Sequence, residues 1–306
     1  MHDRIRQIMT LAWLLVCFLP TDVLAKVPVF VSILPQRYFV EQIGGKHVDV
    51  QVMVLPGASP TTYEPKSRQM VAIAKARIFF SIGVPFEAVW LEKIVASNKN
   101  LRVVPMDRGI QKLPMASFHS HDENQKRTPA QTFLHGHGEA MPYGIPDPHV
   151  WLSPPLVILQ ARTILTALRD IDPENGSVYE ANYQTFVLQV LQLDKELRHL
   201  LEPYQGQPFM VFHPAWGYFA DTYHLEQIPV EMEGKTPKPA QLKELIINAR
   251  RHRIKVLFLQ PQVSAKIAVQ VAGEIGAQVA WADPLALDWA KNLRDVAGKF
   301  RQAMER

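Results

Sequence analysis

Three polar side chains stand directly at the ends of predicted strands or in tight turns. His149 lies in Asp147-Pro148-His149-Val150-Trp151-Leu152, His213 in Val211-Phe212-His213-Pro214-Ala215-Trp216, and Asp283 in Trp281-Ala282-Asp283-Pro284-Leu285. Two neutral imidazoles and one carboxylate are a donor set that suits zinc, manganese or iron. Each residue also has a commoner local use. A His before Pro hydrogen-bonds a turn, and Asp-Pro starts a turn or caps a helix. Singly, none of them indicates a ligand. Jointly they do, and because they are far apart in the chain only the fold can bring them together.

A second group of imidazoles has a different character. His119-Ser120-His121 and His135-Gly136-His137 sit among Asp122, Glu123 and Glu139 in a segment rich in Pro, Gly and Ser. That composition reads either as a solvated loop or as a loop that collects metal weakly. Ordering such a loop costs entropy, so any ion it binds is held less tightly than at a preformed site.

Other chemistries lack their motifs. The chain has one cysteine, Cys17, and no Gly-x-Ser-x-Gly, His-Glu-x-x-His, phosphate loop or Gly-x-Gly-x-x-Gly. An open His, His, Asp site is also how a hydrolytic zinc is arranged, with Glu64, Glu231 or Glu233 as a base, but nothing in the sequence places such a base within reach of a bound water. The net charge of +4 comes from interspersed residues, which indicates no nucleic-acid partner.

The elements that must position these residues alternate. Strands are expected at Val27–Ile33, Val48–Leu55, within Ala76–Ile82 and at Leu101–Pro105, with helical stretches between them, the first over Leu34–Ile43 and ended by Gly44-Gly45. This is an α/β lobe with a largely parallel sheet. The loop over 111–147 follows. Pro154–Asp170 reads as helix. A longer helix runs from Pro173 to Leu201, with Asp172 as N-cap and Pro173 at its first position. At ~1.5 Å per residue it is about 40 Å long, more than one lobe needs, which implies a rigid strut. A second α/β pattern has strands at Pro208–Phe212, Val256–Leu259 and Gln278–Trp281 and helices at Lys238–His252, Ser264–Ile275 (N-cap Ser264) and Trp289–Met304. The expected organisation is a leader over 1–25, a lobe over 26–172, a linking helix over 173–204 and a lobe over 205–306.

The leader has three parts. Arg4 and Arg6 precede the apolar run Met9–Leu19, Pro20 breaks it, and Val23-Leu24-Ala25 offers a cleavage site. The run is short of the ~20 apolar residues of a spanning helix. Cleavage after Ala25 is preferred over lipid anchoring at Cys17, because Val16 is bulky for the position before a lipidated cysteine. Export would leave a mature chain without a thiol, so metal chemistry falls to His, Asp and Glu.

With these residues in hand, the chain resembles the zinc- and manganese-binding substrate-binding proteins of ABC transporters, whose two lobes are joined by one long helix. The resemblance is carried by Gly57-Ala58-Ser59-Pro60 running into Thr62-Tyr63-Glu64-Pro65, by Gly83-Val84-Pro85-Phe86-Glu87, by the three segments above, and by Glu233-Gly234-Lys235. It implies a periplasmic, monomeric protein that delivers zinc, or alternatively manganese, to a permease in the inner membrane. It also implies four ligands, of which His149, His213 and Asp283 match the second to fourth. The first is normally a His, and here the position is Thr61. Thr61 and Glu64 are therefore marked as lining the site and not as ligands. Water or a loop histidine would complete the coordination, and a metal-free or adhesin-like protein on the same scaffold is the alternative.

Overall fold

The computed structural model describes residues 25–116, 145–231, 235, 237–262 and 265–306. The leader with Cys17, the histidines at 119, 121, 135 and 137, Glu233 and the expected cap Ser264 lie outside the described residues. In the first lobe, β1 (Val27–Val31), α1 (Leu34–Gly44), β2 (Val48–Val52), α2 (Ser67–Ile73), β3 (Ile78–Ser81), α3 (Pro85–Ser97) and β4 (Arg102–Pro105) alternate as expected. Two helices follow, α4 (Pro154–Ile171) and α5 (Gly176–Leu201). The second lobe comprises β5 (Pro208–Val211), α6 (Gly217–Tyr223), β6 (Glu226–Pro229), α7 (Pro239–Arg251), β7 (Val256–Leu259), α8 (Ala265–Ile275), β8 (Gln278–Trp281) and α9 (Trp289–Met304).

Both sheets are wound the same way. Their strand orders are β2-β1-β3-β4 and β6-β5-β7-β8, and every pairing is parallel. β6 and α6 are additions to the expected pattern. β6 reads Glu-Gln-Ile-Pro and carries no apolar run, so its pairing with β5 is what makes it a strand. A second difference lies at the start of α5. The helix begins at Gly176, after a short 3-10 turn over Pro173–Asn175. Asp172 makes no side-chain cap to the backbone, and its carboxylate instead accepts from Asn175 Nδ2 at 2.9 Å and from the Tyr179 hydroxyl.

The strand pattern explains how the lobes join. In β5 and the residue after it, Phe209 and Val211 face a core shared with the first lobe, while Met210 and Phe212 face a separate cluster under α7 and α8. Val256 and Phe258 alternate with Leu257 and Leu259 in the same sense. The two-residue period of a strand thus splits each apolar run between two layers. The long helix is not a free strut. Its buried stripe, including Tyr179, Phe186, Val190, Leu193 and Leu197, lies in the shared core. It packs on α1 and α4 near its start and on α6 and α9 further on, forming a common spine.

Candidate metal centre

His213 stands two residues beyond β5, and β5 lies between β6 and β7. Strand order reverses there, and ligands of open parallel sheets bind beyond the carboxyl ends of strands at such a point. The β5–β6 pairing continues past the strands: Glu231 N–H donates to Phe212 O at 2.9 Å. This sets Glu231 beside His213, with His213 Nδ1 3.0 Å from Glu231 Oε2.

His149 is built in a parallel manner from a nearer carboxylate. Asp147 is 1% exposed and its Oδ1 accepts from the His149 backbone N–H at 2.9 Å. The same oxygen lies 2.6 Å from His149 Nδ1. Burial lowers the pKa of His149 more than the Asp147 carboxylate raises it, so the ring is held neutral. With Nδ1–H on a carboxylate, a neutral imidazole carries its lone pair on Nε2, the pattern by which outer carboxylates fix ligating histidines. The two ring centroids are 5.4 Å apart.

Chain order assigns His149 to the first half, yet its segment is fastened to the second lobe. Tyr218 of α6 donates its hydroxyl to Asp147 O at 3.0 Å and accepts from Leu113 N–H at 2.9 Å. Burial pushes this hydroxyl up to about 12, so it keeps its proton for that bond. Thr222 of α6 donates to Ser153 Oγ at 2.8 Å. Trp151 Nε1 donates to Pro284 O and Trp289 Nε1 to Trp151 O, each at 2.7 Å. Gly217 permits the closeness, because a Cβ there would lie 2.9 Å from Asp147 Oδ2. The two stems of the histidine-rich segment are also joined, through a bridge between Pro114 and Pro146 and a 2.8 Å bond from Asp147 N–H to Leu113 O.

Asp283 follows β8 by two residues, in a turn where its Oδ1 accepts from Leu285 N–H and Gln262 Nε2, both at 3.0 Å. Both bonds fall on Oδ1. Asp283 lines a cleft of ≈ 380 Å³ whose walls are the exits of β1 and β2 in one lobe and the loops after β7 and β8 in the other. Of the three expected ligands, the structure brings His149 and His213 together. Among the described residues, no group of three or more His, Cys, Asp or Glu is set to hold an ion. The turn that follows Asp283 is nonetheless tied to the His149 segment through the Trp151–Pro284 bond. Thr61 and Glu64 are both exposed, in the turns between β2 and α2, with Thr61 N–H donating to Ser59 Oγ at 3.3 Å.

Two similarly wound lobes on one spine, with paired imidazoles beyond a strand end, define the class of two-lobed binding proteins. Residues 29–303 match the family described as zinc-uptake complex component A, periplasmic, and the chain belongs to that family. A crystal structure of ZnuA is 40% identical, with a TM-score of 0.79, covering 90% of this chain and 98% of that one. A ZnuA mutant lacking its residues 138–173, with zinc bound, is likewise 40% identical, with a TM-score of 0.79, over 91% of this chain and 98% of that one. The high-affinity zinc uptake system protein ZnuA of Bacillus subtilis (strain 168) is 29% identical over 260 residues, 83% of this chain and 76% of that protein.

Proposed function

We propose that the chain captures a divalent transition metal ion, zinc, outside the cytoplasm and hands it to the permease of an ABC importer, with His149, His213 and Asp283 as ligands. The observation that carries this is the imidazole pair, each ring bonded through Nδ1 to a buried carboxylate. Two imidazoles sharing a tetrahedral zinc at about 2.0–2.1 Å have ring centroids about 5.2 Å apart. The observed 5.4 Å agrees with that spacing. Asp283 completes the set through Oδ2 when its turn moves toward the cation. The relatives named for zinc support zinc over manganese, as do two nitrogen ligands.

The same contacts weigh against hydrolysis. Glu231, one of the carboxylates that could serve as a base, is bonded to His213, and Glu64 is exposed. No helix among the described residues is long and apolar enough to cross a membrane, and export rests on the leader. Calorimetry on chelator-stripped full-length protein tests the function. Zinc uptake at one tight site, weaker uptake of manganese, and loss of the tight site in His213→Ala are expected. Absence of any tight site would favour a metal-free binder, and hydrolysis abolished by the same substitution would favour an enzyme.

A further inference from the structure

One side chain stands between the supports of the two imidazoles. Gln227 is the second residue of β6 and pairs with Phe209 of β5. β6 leads on to Glu231, whose N–H donates to Phe212 O, so the strand behind the Glu231–His213 contact also carries Gln227. Gln227 Oε1 accepts from Trp216 N–H at 2.7 Å. That bond fixes the far end of the turn that begins at His213, where Ala215 N–H donates to His213 O at 2.8 Å. It also fixes the start of α6, where Ala220 N–H donates to Trp216 O at 2.9 Å.

The bond to Trp216 also settles which way the amide points. A backbone N–H is met by the amide oxygen, so the nitrogen is turned the other way. Gln227 Nε2 is buried and has no hydrogen-bond partner among the described residues. It borders Gly217: a Cβ there would lie 3.7 Å from Gln227 Nε2 and 2.9 Å from Asp147 Oδ2. The amide nitrogen and the second carboxylate oxygen behind His149 thus share the space beside one glycine. Asp147 Oδ1 is given over to His149, through its backbone N–H and Nδ1. A buried donor that reaches no protein atom is served by an enclosed water, and a water between an amide N–H and a carboxylate carries their contact nearly as well as a direct bond.

We propose that Gln227 is a positioning residue that couples the two imidazole supports: its Oε1 holds the turn after His213, and its amide N–H holds Asp147 Oδ2 across one water. This deepens the metal-capture reading and rests on it. His149 and His213 come from segments far apart in the chain, and a shared ion needs their rings at one spacing. Asp147 and Glu231 orient each ring separately. Gln227 sets the two segments against each other, because one planar amide serves both. Its loss leaves each carboxylate–imidazole bond in place and relaxes the spacing between the rings.

The test is zinc affinity of the full chain by chelator competition, with the fold of each variant checked by circular dichroism. Gln227→Met removes both polar groups and is expected to weaken binding roughly three- to thirtyfold. Gln227→Glu keeps an oxygen for Trp216 N–H but puts a carboxylate in place of the N–H donor beside Asp147, and is expected to weaken binding at least as much. A tie to the turn alone would leave Gln227→Glu at the parent affinity. A double-mutant cycle reads the coupling. Gln227→Met and Asp147→Asn together should weaken binding by less than the product of their separate effects, by roughly threefold or more. Gln227→Met with Glu231→Gln should come closer to the product. If the parent takes up no zinc, the capture reading fails and this proposal with it. If the parent binds zinc and Gln227→Glu matches it, or the effects of Gln227→Met and Asp147→Asn simply multiply, only the role of Gln227 is overturned.

Discussion

Each imidazole of the pair depends on one carboxylate that is not itself a ligand. Asp147→Asn and Glu231→Gln are each expected to weaken zinc binding roughly 10- to 100-fold while the fold persists, measured by chelator competition alongside thermal melting. Thr61 argues in the other direction. A hydroxyl is a poor zinc donor, and Thr61→His should add an imidazole and tighten binding by about tenfold or more. Unchanged affinity would mean that another group already fills that position. His149 also gives a pH dependence. An unfolded-chain histidine titrates near 6.5, and burial lowers the folded value below that. As pH falls through 6.5, the unfolded chain takes a proton that the fold refuses, so metal-free stability declines from there downward. His149→Gln should flatten that part of the melting-temperature profile between about pH 7 and 5.

At the scale of elements, what was legible followed from strand chemistry. Continuous, short apolar runs such as Ile78-Phe79-Phe80 and Val256-Leu257-Phe258-Leu259 read as buried strands, and both are. His213 and Asp283 were visible because a polar residue before proline interrupts the chain just past such a run. Glu231 as the partner of His213 was not. It reaches His213 only because β6 pairs with β5, and β6 has too few apolar residues to announce itself. Asp147 stands two residues before His149, but sequence cannot say whether such a carboxylate caps a turn or orients a ring. The attachment of His149 to the second lobe was equally hidden, since it rests on single bonds from Tyr218, Thr222 and Trp151. α6 matters here through a residue with no side chain. Gly217→Ala should push Asp147 aside, costing about 1–3 kcal/mol of stability and weakening zinc binding, as read by melting and competition assays. Unaltered binding would show that Asp147 does not need that close approach.

The whole molecule behaves as one body with two sheets, because α5 and one face of each sheet share a core. Phe186, 2% exposed on that helix, packs against Phe39 at 5.9 Å between ring centroids. Phe186→Ala should cost about 3–5 kcal/mol and lower a single melting transition, not one of two. The position where the sequence resemblance implies a first ligand holds threonine, and the three proposed ligands are set on, or tied to, the second lobe. Loading should therefore move the lobes little. A zinc-edge anomalous map of crystals of the loaded protein tests whether the imidazole pair holds the ion. One tight peak is expected, bound by Nε2 of His149, Nε2 of His213 and a carboxylate oxygen of Asp283. A peak lacking either imidazole, or no peak between them at all, would contradict it.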